Sequence, residues 1–385
     1  MALQALVGAT MIDGTGADPV GESTLLIEDG RIVAVGVPDL PAGATVIEAA
    51  GLTLMPGLID CHQHTSHRFH ALRRLQMNLQ RGATTVAGVT AGVPGVELRR
   101  AIEAGVARGC PRFWVGGVVG ATEGHLRWTD EDPAGVYADG PWEVRRGVRR
   151  MSAARVDFIK TCASGGFQFA DEGVTNEDYT LTELTALVEE AHTRQKRVVV
   201  HAHAQPGLNQ AIAAGCDMIH HGALIDDEAL AGIKQRGLYY TPTLHITSEP
   251  VWSGANFAEH TRERMKHAHP IHREGVRKAH ALGLHLSVGT DGGPGDAAHE
   301  LMELCACGLS PLEAIVCGTR HSAEALGIAE VTGTLQPGKE ADLMLVAGDP
   351  LQDIACLYDG ANIRLVMRRG VVEYAVGDYH RFWQP

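Results

Sequence analysis

The feature that most constrains this chain is an alternation through its middle, where short apolar runs are separated by stretches of helical period. Eight runs stand out: GLIDCHQH, TTVAGVT, RFWVGGVV, DFIKTCAS, RVVVHAH, DMIHHGA, LYYTPTL and HLSVGTDG. Between them, LTELTALVEEAHTRQ places Leu181, Leu184, Leu187 and Val188 near the helical repeat, and EAIVCGTRHSAEALG reads as a helix ending at Gly327. Regular β–α alternation implies parallel strands joined by right-handed crossovers. Eight of them point to a closed (β/α)8 TIM barrel, an α/β fold, rather than an open sheet. The 385 residues suit such a barrel of roughly 250 residues plus a smaller unit.

The ends of the chain have a different texture. STLLIEDGRIVAVG carries two apolar runs about Asp29-Gly30, a hairpin signal, and TVIEAAGLTLMPG adds strand-like sequence before Pro56-Gly57. ADLMLVAGD and IRLVMRRGVVEYAVG, with a turn at Gly370, are again β-rich. The expected organisation is a small β-sandwich domain from residues 1–56 and 341–385, with the barrel over 57–340. The Gly/Pro/Asp-rich stretch from Glu123 to Trp142 is expected to be a long loop at the barrel's C-terminal rim, where such loops shape substrate pockets.

Composition narrows the partners. A formal net charge of −13, without a basic run, argues against nucleic acid or an anionic membrane surface. No apolar stretch approaches the roughly 18 to 20 residues of a membrane span, and the N-terminus lacks a signal-peptide pattern. Eight scattered cysteines, with only Cys305 and Cys307 close together, read as reduced thiols in a cytoplasmic protein. The expected partner is a small-molecule substrate.

The chemistry collects at the ends of the apolar runs. Residues two apart on a strand point the same way, so His62 and His64 can share a metal. Lys160 interrupts VDFIKTCAS, His201 and His203 end RVVVHAH, His220 and His221 end DMIHHG, and Asp291 ends LSVGTDG. A buried lysine or aspartate without a partner is costly, and imidazoles and carboxylates gathered at one rim suit a zinc-like ion. His201 and His203 face the same way, so the residues leave either as the ligand, whereas His220 and His221 should face opposite ways. His67 and His70 are expected on the rim or the surface.

PGLIDCHQHT, FIKTCASGG, VVVHAHAQPG, HHG and VGTDGG, in this order, resemble the metal-binding signatures of the amidohydrolase superfamily, and GTLQPGKEADLMLV resembles its segment returning to the small β-domain. DGPWEVRRGVRR, VDFIKTCASGG and LTELTALVEEAHTRQKRVVVHAH are similar to the prolidase-like and imidazolonepropionase-like branch. The resemblance spans nearly the whole chain. It implies two divalent ions, zinc being the expectation. His62, His64 and Asp291 would hold one ion, His201 and His221 the other, and a carboxylated Lys160 would bridge both. It also implies His201 rather than His203 as ligand, with His203 behind the ligands or toward the substrate, and His220 standing where the family usually has glutamate. Relatives often form homo-oligomers.

Such a site implies hydrolysis of an amide-type C–N bond. A metal lowers the pKa of bound water toward about 7, and Asp291 would take the proton and pass it to the leaving nitrogen. His203 and Tyr240 are the further candidate catalytic groups. Gly124-His125 resembles the Gly-His of the loop after strand three in relatives that cleave dipeptides or N-acyl amino acids, implying that His125 faces the substrate. Those relatives commonly carry a tyrosine soon after the sixth-strand His-Gly. Here Ala223, Leu224 and Ile225 follow, which moves the expectation toward a less polar acyl or aryl amide, or a carbamate. Leu224, Tyr240 and His245 complete the expected pocket, although Tyr240 could equally be a packed barrel aromatic. The competing readings are a lactonase or ring-opening hydrolase, a deaminase, and a non-catalytic homologue. Deaminases of this superfamily usually show His-x-x-Glu on the fifth strand, and here Ala204 and Pro206 stand three residues after His201 and His203.

Overall fold

The computed structural model describes residues 3–37, 40–65, 68–127, 135–254, 257–293 and 295–383. The N-terminal part forms β1 (Gln4–Met11), β2 (Val20–Glu28), β3 (Arg31–Val35), β4 (Thr45–Glu48) and β5 (Leu52–Pro56). The middle forms β6 (Leu58–Gln63), β7 (Ala83–Gly88), β8 (Arg112–Gly120), β9 (Gly135–Tyr137), β10 (Phe158–Cys162), β11 (Val198–Ala202), β12 (Met218–His221), β13 (Tyr239–Thr241) and β14 (His285–Leu286). The chain ends on β15 (Leu343–Ala347), β16 (Ile363–Arg368) and β17 (Val371–Ala375).

Both termini enter one sheet of order β17-β16-β15-β5-β1-β2-β3, with β4 beside β1. The junction is the antiparallel pair β5–β15, which sets Leu54 opposite Leu345. Two tight turns define its edge. Asp29-Gly30 and Arg369-Gly370 all have positive φ, the backbone of a type I′ hairpin turn. Gly30 is required there twice over, because a Cβ would lie 2.5 Å from the Arg369 carbonyl oxygen. Leu6, Leu25, Ile27, Ile32, Ile47, Leu343, Leu345 and Leu365 pack into a separate apolar core against this sheet.

Among the described residues the middle is a curled sheet of parallel strands, β6 to β14 in chain order, with β9 attached to β8. Its two ends meet, since Cys61 N–H donates to the Val288 carbonyl (2.8 Å) and Asp291 N–H to the His62 carbonyl (2.9 Å). The fold is mixed α/β. β6, β7, β10, β11 and β12 are buried along their whole length, as expected of strands covered on both faces.

The structure changes four sequence expectations. The 123–142 stretch is not all loop, because β9 pairs with β8 and a helix starts at Gly140; its residues 128–134 lie outside the described set, as does His67. The run HLSVGTDG is a strand for two residues only. Beyond Leu286 backbone bonds alternate with side-chain ones: Ser322 Oγ accepts from Val288 N–H, and Asp60 accepts from Thr290 N–H. The helix over 181–193 starts from a Thr180/Glu183 capping box and buries Leu184, Leu187 and Val188, but its first residue, Leu181, is exposed. The helix expected to end at Gly327 is interrupted by a π-turn at Cys317–His321, where Ser322 Oγ donates back to the Cys317 carbonyl. No helix of the described residues is long and apolar enough to cross a membrane.

Candidate metal centre

His62 lies on β6 and is buried. Beneath it sits Asp60, a fully buried carboxylate that accepts from His62 N–H (2.9 Å), Gln63 Nε2 (2.7 Å), Thr290 N–H (3.1 Å) and Thr290 Oγ1 (2.8 Å). Burial pushes the Asp60 carboxyl up to about 6, against the pull of these donors. Asp60 thus ties the first strand to the segment that carries Asp291. Asp291 has a left-handed backbone, φ +52, a conformation that surrounding structure must hold in place. Its Oδ1 lies 2.9 Å from His64 Nε2 and 3.4 Å from His62 Nε2. The structure therefore gathers His62, His64 and Asp291, with His64 Nδ1 3.1 Å from Thr90 Oγ1 on its other side.

A second group forms from β11 and β12. One ring nitrogen each of His201, His203 and His221 lie within 4.8 Å of one another. His203 is set by a hydrogen bond from its N–H to Ser164 Oγ (2.9 Å). His221 has φ +76, and this left-handed turn is fixed on three sides. Tyr240 Oη (3.0 Å) and His272 Nε2 (2.8 Å) donate to its carbonyl, and its Nδ1 meets Thr243 Oγ1 at 2.8 Å. The turn also breaks strand alternation. His220 and His221 do not face opposite ways, and both rings approach His62, at centroid distances of 4.7 and 4.8 Å. His221 belongs to both groups, since its ligand atom also lies within 4.8 Å of those of His62 and Asp291.

The donor set fits divalent ions. Burial lowers His62, His201, His203, His220 and His221 well below the usual imidazole value, so each is neutral and offers a lone pair. Lys160 on β10 is 1% exposed, and burial lowers its amine to about 8. His62 Nε2, Lys160 Nζ and His203 Nδ1 are buried without a hydrogen-bond partner. Buried polar atoms are ordinarily paired, so three partnerless ones at one spot call for a ligand. His62, His64, Lys160, His201, His203, His221 and Asp291 could hold it.

The remaining expected site residues divide. His125 stacks on His201 at 4.1 Å. Its N–H donates to Asp178 and its Nδ1 lies 3.0 Å from Glu172. The ring fits only because residue 166 is glycine, where a Cβ would come within 2.2 Å of it. Leu224 donates its N–H to the His203 carbonyl (2.9 Å) and packs beside Phe167, whose ring lies 4.5 Å from that of His203. Tyr240 is fully buried with its hydroxyl on the His221 carbonyl, so it braces a ligand turn and does not face a substrate. His245 is occupied at both nitrogens: Nε2 lies 2.9 Å from Asp296 and Nδ1 2.8 Å from His299. His70 is exposed. Sequence reading passed over Asp60, although a carboxylate inside the apolar run LIDCHQ was a signal. It had no signal for Glu172, Thr243 or His272.

Several known proteins share this plan. The chain is similar to the ochratoxinase of Aspergillus niger, 28% identical over 94% of this chain and 84% of that protein. It is also similar to an imidazolonepropionase of Ralstonia nicotianae, 26% identical over 89% and 90% respectively. The solved structure of a Xaa-Pro dipeptidase with methionine bound in its active site superposes with a TM-score of 0.89, at 27% identity, over 97% of this chain and 100% of that one. The profile of the amidohydrolase family matches residues 53–372. With that much of its length accounted for, the chain belongs to the amidohydrolase family.

Proposed function

We propose that this hydrolase of carbon–nitrogen bonds is metal-dependent and cleaves an amide-type bond in a small molecule. The observation that carries the reading is the convergence of His62, His64, Lys160, His201, His221 and Asp291 on one end of the parallel sheet, with buried nitrogen atoms there lacking partners. We read the curled sheet as a closed barrel over 57–340 and the terminal strands as a small β-domain.

Divalent ions held by these residues would polarise a carbonyl and make water acidic enough to attack near neutral pH. Asp291 accepts the proton of the attacking water and returns it to the leaving nitrogen, a double role favoured by its place between His62 and His64. Lys160 supports the pair as a carbamate. Its amine, brought to about 8 by burial, adds to carbon dioxide, forming an N–C bond and releasing a proton. The product replaces a cation that would repel metal with two oxygen donors. His125 stacks on His201, Phe167 packs against His203, and Phe167 with Leu224 gives this side of the site an apolar face. This favours an N-acyl amino acid, dipeptide or aryl amide with a large apolar group. The similarity to imidazolonepropionase supports a second reading, opening of a cyclic amide or lactone on the same scaffold.

The test is metal content and turnover across a panel of N-acyl amino acids, dipeptides, aryl amides, cyclic amides and lactones. We expect bound divalent metal, loss of turnover on chelation, and the highest rates on linear amides with an apolar group. A protein that purifies without metal and keeps its activity in chelator would overturn the reading.

A further inference from the structure

His62 and His220 meet through like atoms. Their Nδ1 nitrogens are 2.7 Å apart, with both rings essentially inaccessible to solvent. A contact this short holds one hydrogen, given by one ring and accepted by the other. Burial away from water disfavours charge on either ring. The pair is thus neutral, with one N–H on each ring and two ways to arrange them.

In the first arrangement His220 donates from Nδ1, and His62 keeps its hydrogen on Nε2, which points toward Asp291 Oδ1 at 3.4 Å. That nitrogen then has no lone pair for a metal. In the second arrangement His62 donates from Nδ1, its Nε2 lone pair is free, and His220 carries its hydrogen on Nε2. Each ring has one N–H before and after: the shared hydrogen crosses between the Nδ1 atoms, His62 Nε2 gives up a proton and His220 Nε2 gains one, so the pair's total is unchanged. His220 Nε2 is buried with no protein partner. The first arrangement leaves a bare lone pair there, whereas the second leaves an unmatched donor, the more costly state.

Resting on the reading of this centre as a metal site, we propose that His220 is a positioning residue that accepts the His62 Nδ1 hydrogen and thereby sets how tightly the centre binds a divalent ion. Metal-binding imidazoles usually give their second N–H to a carboxylate, a backbone carbonyl or water, which orients the ring and raises its basicity. Here the acceptor is a neutral imidazole that must shed its own hydrogen to the far nitrogen. Ion binding is coupled to an exchange of tautomers in both rings.

The experiment is a Zn²⁺ titration of the full-length, chelator-stripped protein against a competing indicator, with His220→Phe and His220→Gln beside the wild type. Phe removes the acceptor and should weaken Zn²⁺ binding by about 10- to 100-fold, while Gln keeps an acceptor oxygen and should recover most of the loss. Nitrogen NMR of the wild-type imidazoles supplies a readout independent of any variant's folding. On Zn²⁺ loading, the His62 hydrogen should appear on Nδ1 and the His220 hydrogen on Nε2. Equal Zn²⁺ affinity in folded His220→Phe, or a His220 hydrogen on Nδ1 in the loaded protein, overturns the proposal. A wild-type protein that binds no Zn²⁺ overturns the metal-centre reading with it.

Discussion

The two ends of the parallel sheet differ in how their carboxylates, imidazoles and amine are partnered. At the end where the strands begin, each carboxylate has two donors. Asp157, before β10, accepts from Val115 N–H and Arg99. Asp217, before β12, accepts from Val198 N–H and pairs with His192. Asp342, which faces Arg112 at the start of β8, accepts from that guanidinium and from Arg369 N–H. At the end where the strands finish, His62 Nε2, Lys160 Nζ, His203 Nδ1 and His220 Nε2 are buried and have no hydrogen-bond partner. Arg112 Nε, Thr84 Oγ1 and Thr85 Oγ1 near the strand starts lack partners too, but among the described residues the partnerless imidazole and amine nitrogens gather at the other end.

That contrast can be broken first at Asp291. Asn in its place keeps a metal-binding oxygen but cannot take up a proton, so turnover should fall by about 10² to 10⁴ with metal content intact; unchanged turnover would remove Asp291 from proton transfer. At the opposite end, Arg112→Ala leaves the buried Asp342 with one donor. It should cost about 3 kcal/mol of unfolding free energy, the low end for breaking a buried pair, while turnover per folded molecule stays the same. Altered activity in that variant would show that the two ends are not independent.

Smaller effects sharpen the picture between the ends. Asp296 receives Gly293 N–H (2.6 Å) and pairs with His245, so the turn that follows Asp291 is braced from behind. His245→Ala should lower kcat about tenfold with little change in KM, the mark of a misplaced reacting group. His245→Asn should recover part of the loss. A raised KM with kcat unchanged would make His245 a substrate contact after all. A separate effect is a pH slope. Burial pushes Glu300 up to about 8, although the N–H groups of Leu244 and His245 pull it down. The unfolded chain titrates this group near pH 4.3, so the folded protein holds its proton more tightly. The stabilisation is complete below that pH and is lost as pH rises through about 8. Urea unfolding from pH 4 to 9 should show this decline, and Glu300→Gln should flatten it.

Much of this site was legible in the sequence because its candidate ligands sit where strands end, and each motif is local. His-x-His, the lysine inside VDFIKTCAS and the Thr-Asp-Gly-Gly turn declare themselves within a few residues. What escaped notice is non-local or obscured by composition. Glu172 lies 47 residues from His125 and His299 54 from His245, so no period links them. The three residues of β9 lie in sequence with the composition of a loop and gain their structure from β8. The facing of His220 and His221 was misjudged because strand alternation assumes extended backbone, and His221 is left-handed. Asp60 was the one readable omission.

The junction between the ends of the sheet has a consequence for how the protein comes into being. Asp291 N–H bonds to the His62 carbonyl, and Cys61 N–H to that of Val288, so two members of the candidate metal centre become neighbours only when the last strand docks on the first. During synthesis β6 waits with an open edge while more than half the chain is made, an exposure that favours aggregation until the late strand arrives. The centre does not exist in any shorter intermediate. If the centre binds an ion as proposed, its capture by a refolding chain would report that the first and last strands of the sheet have met.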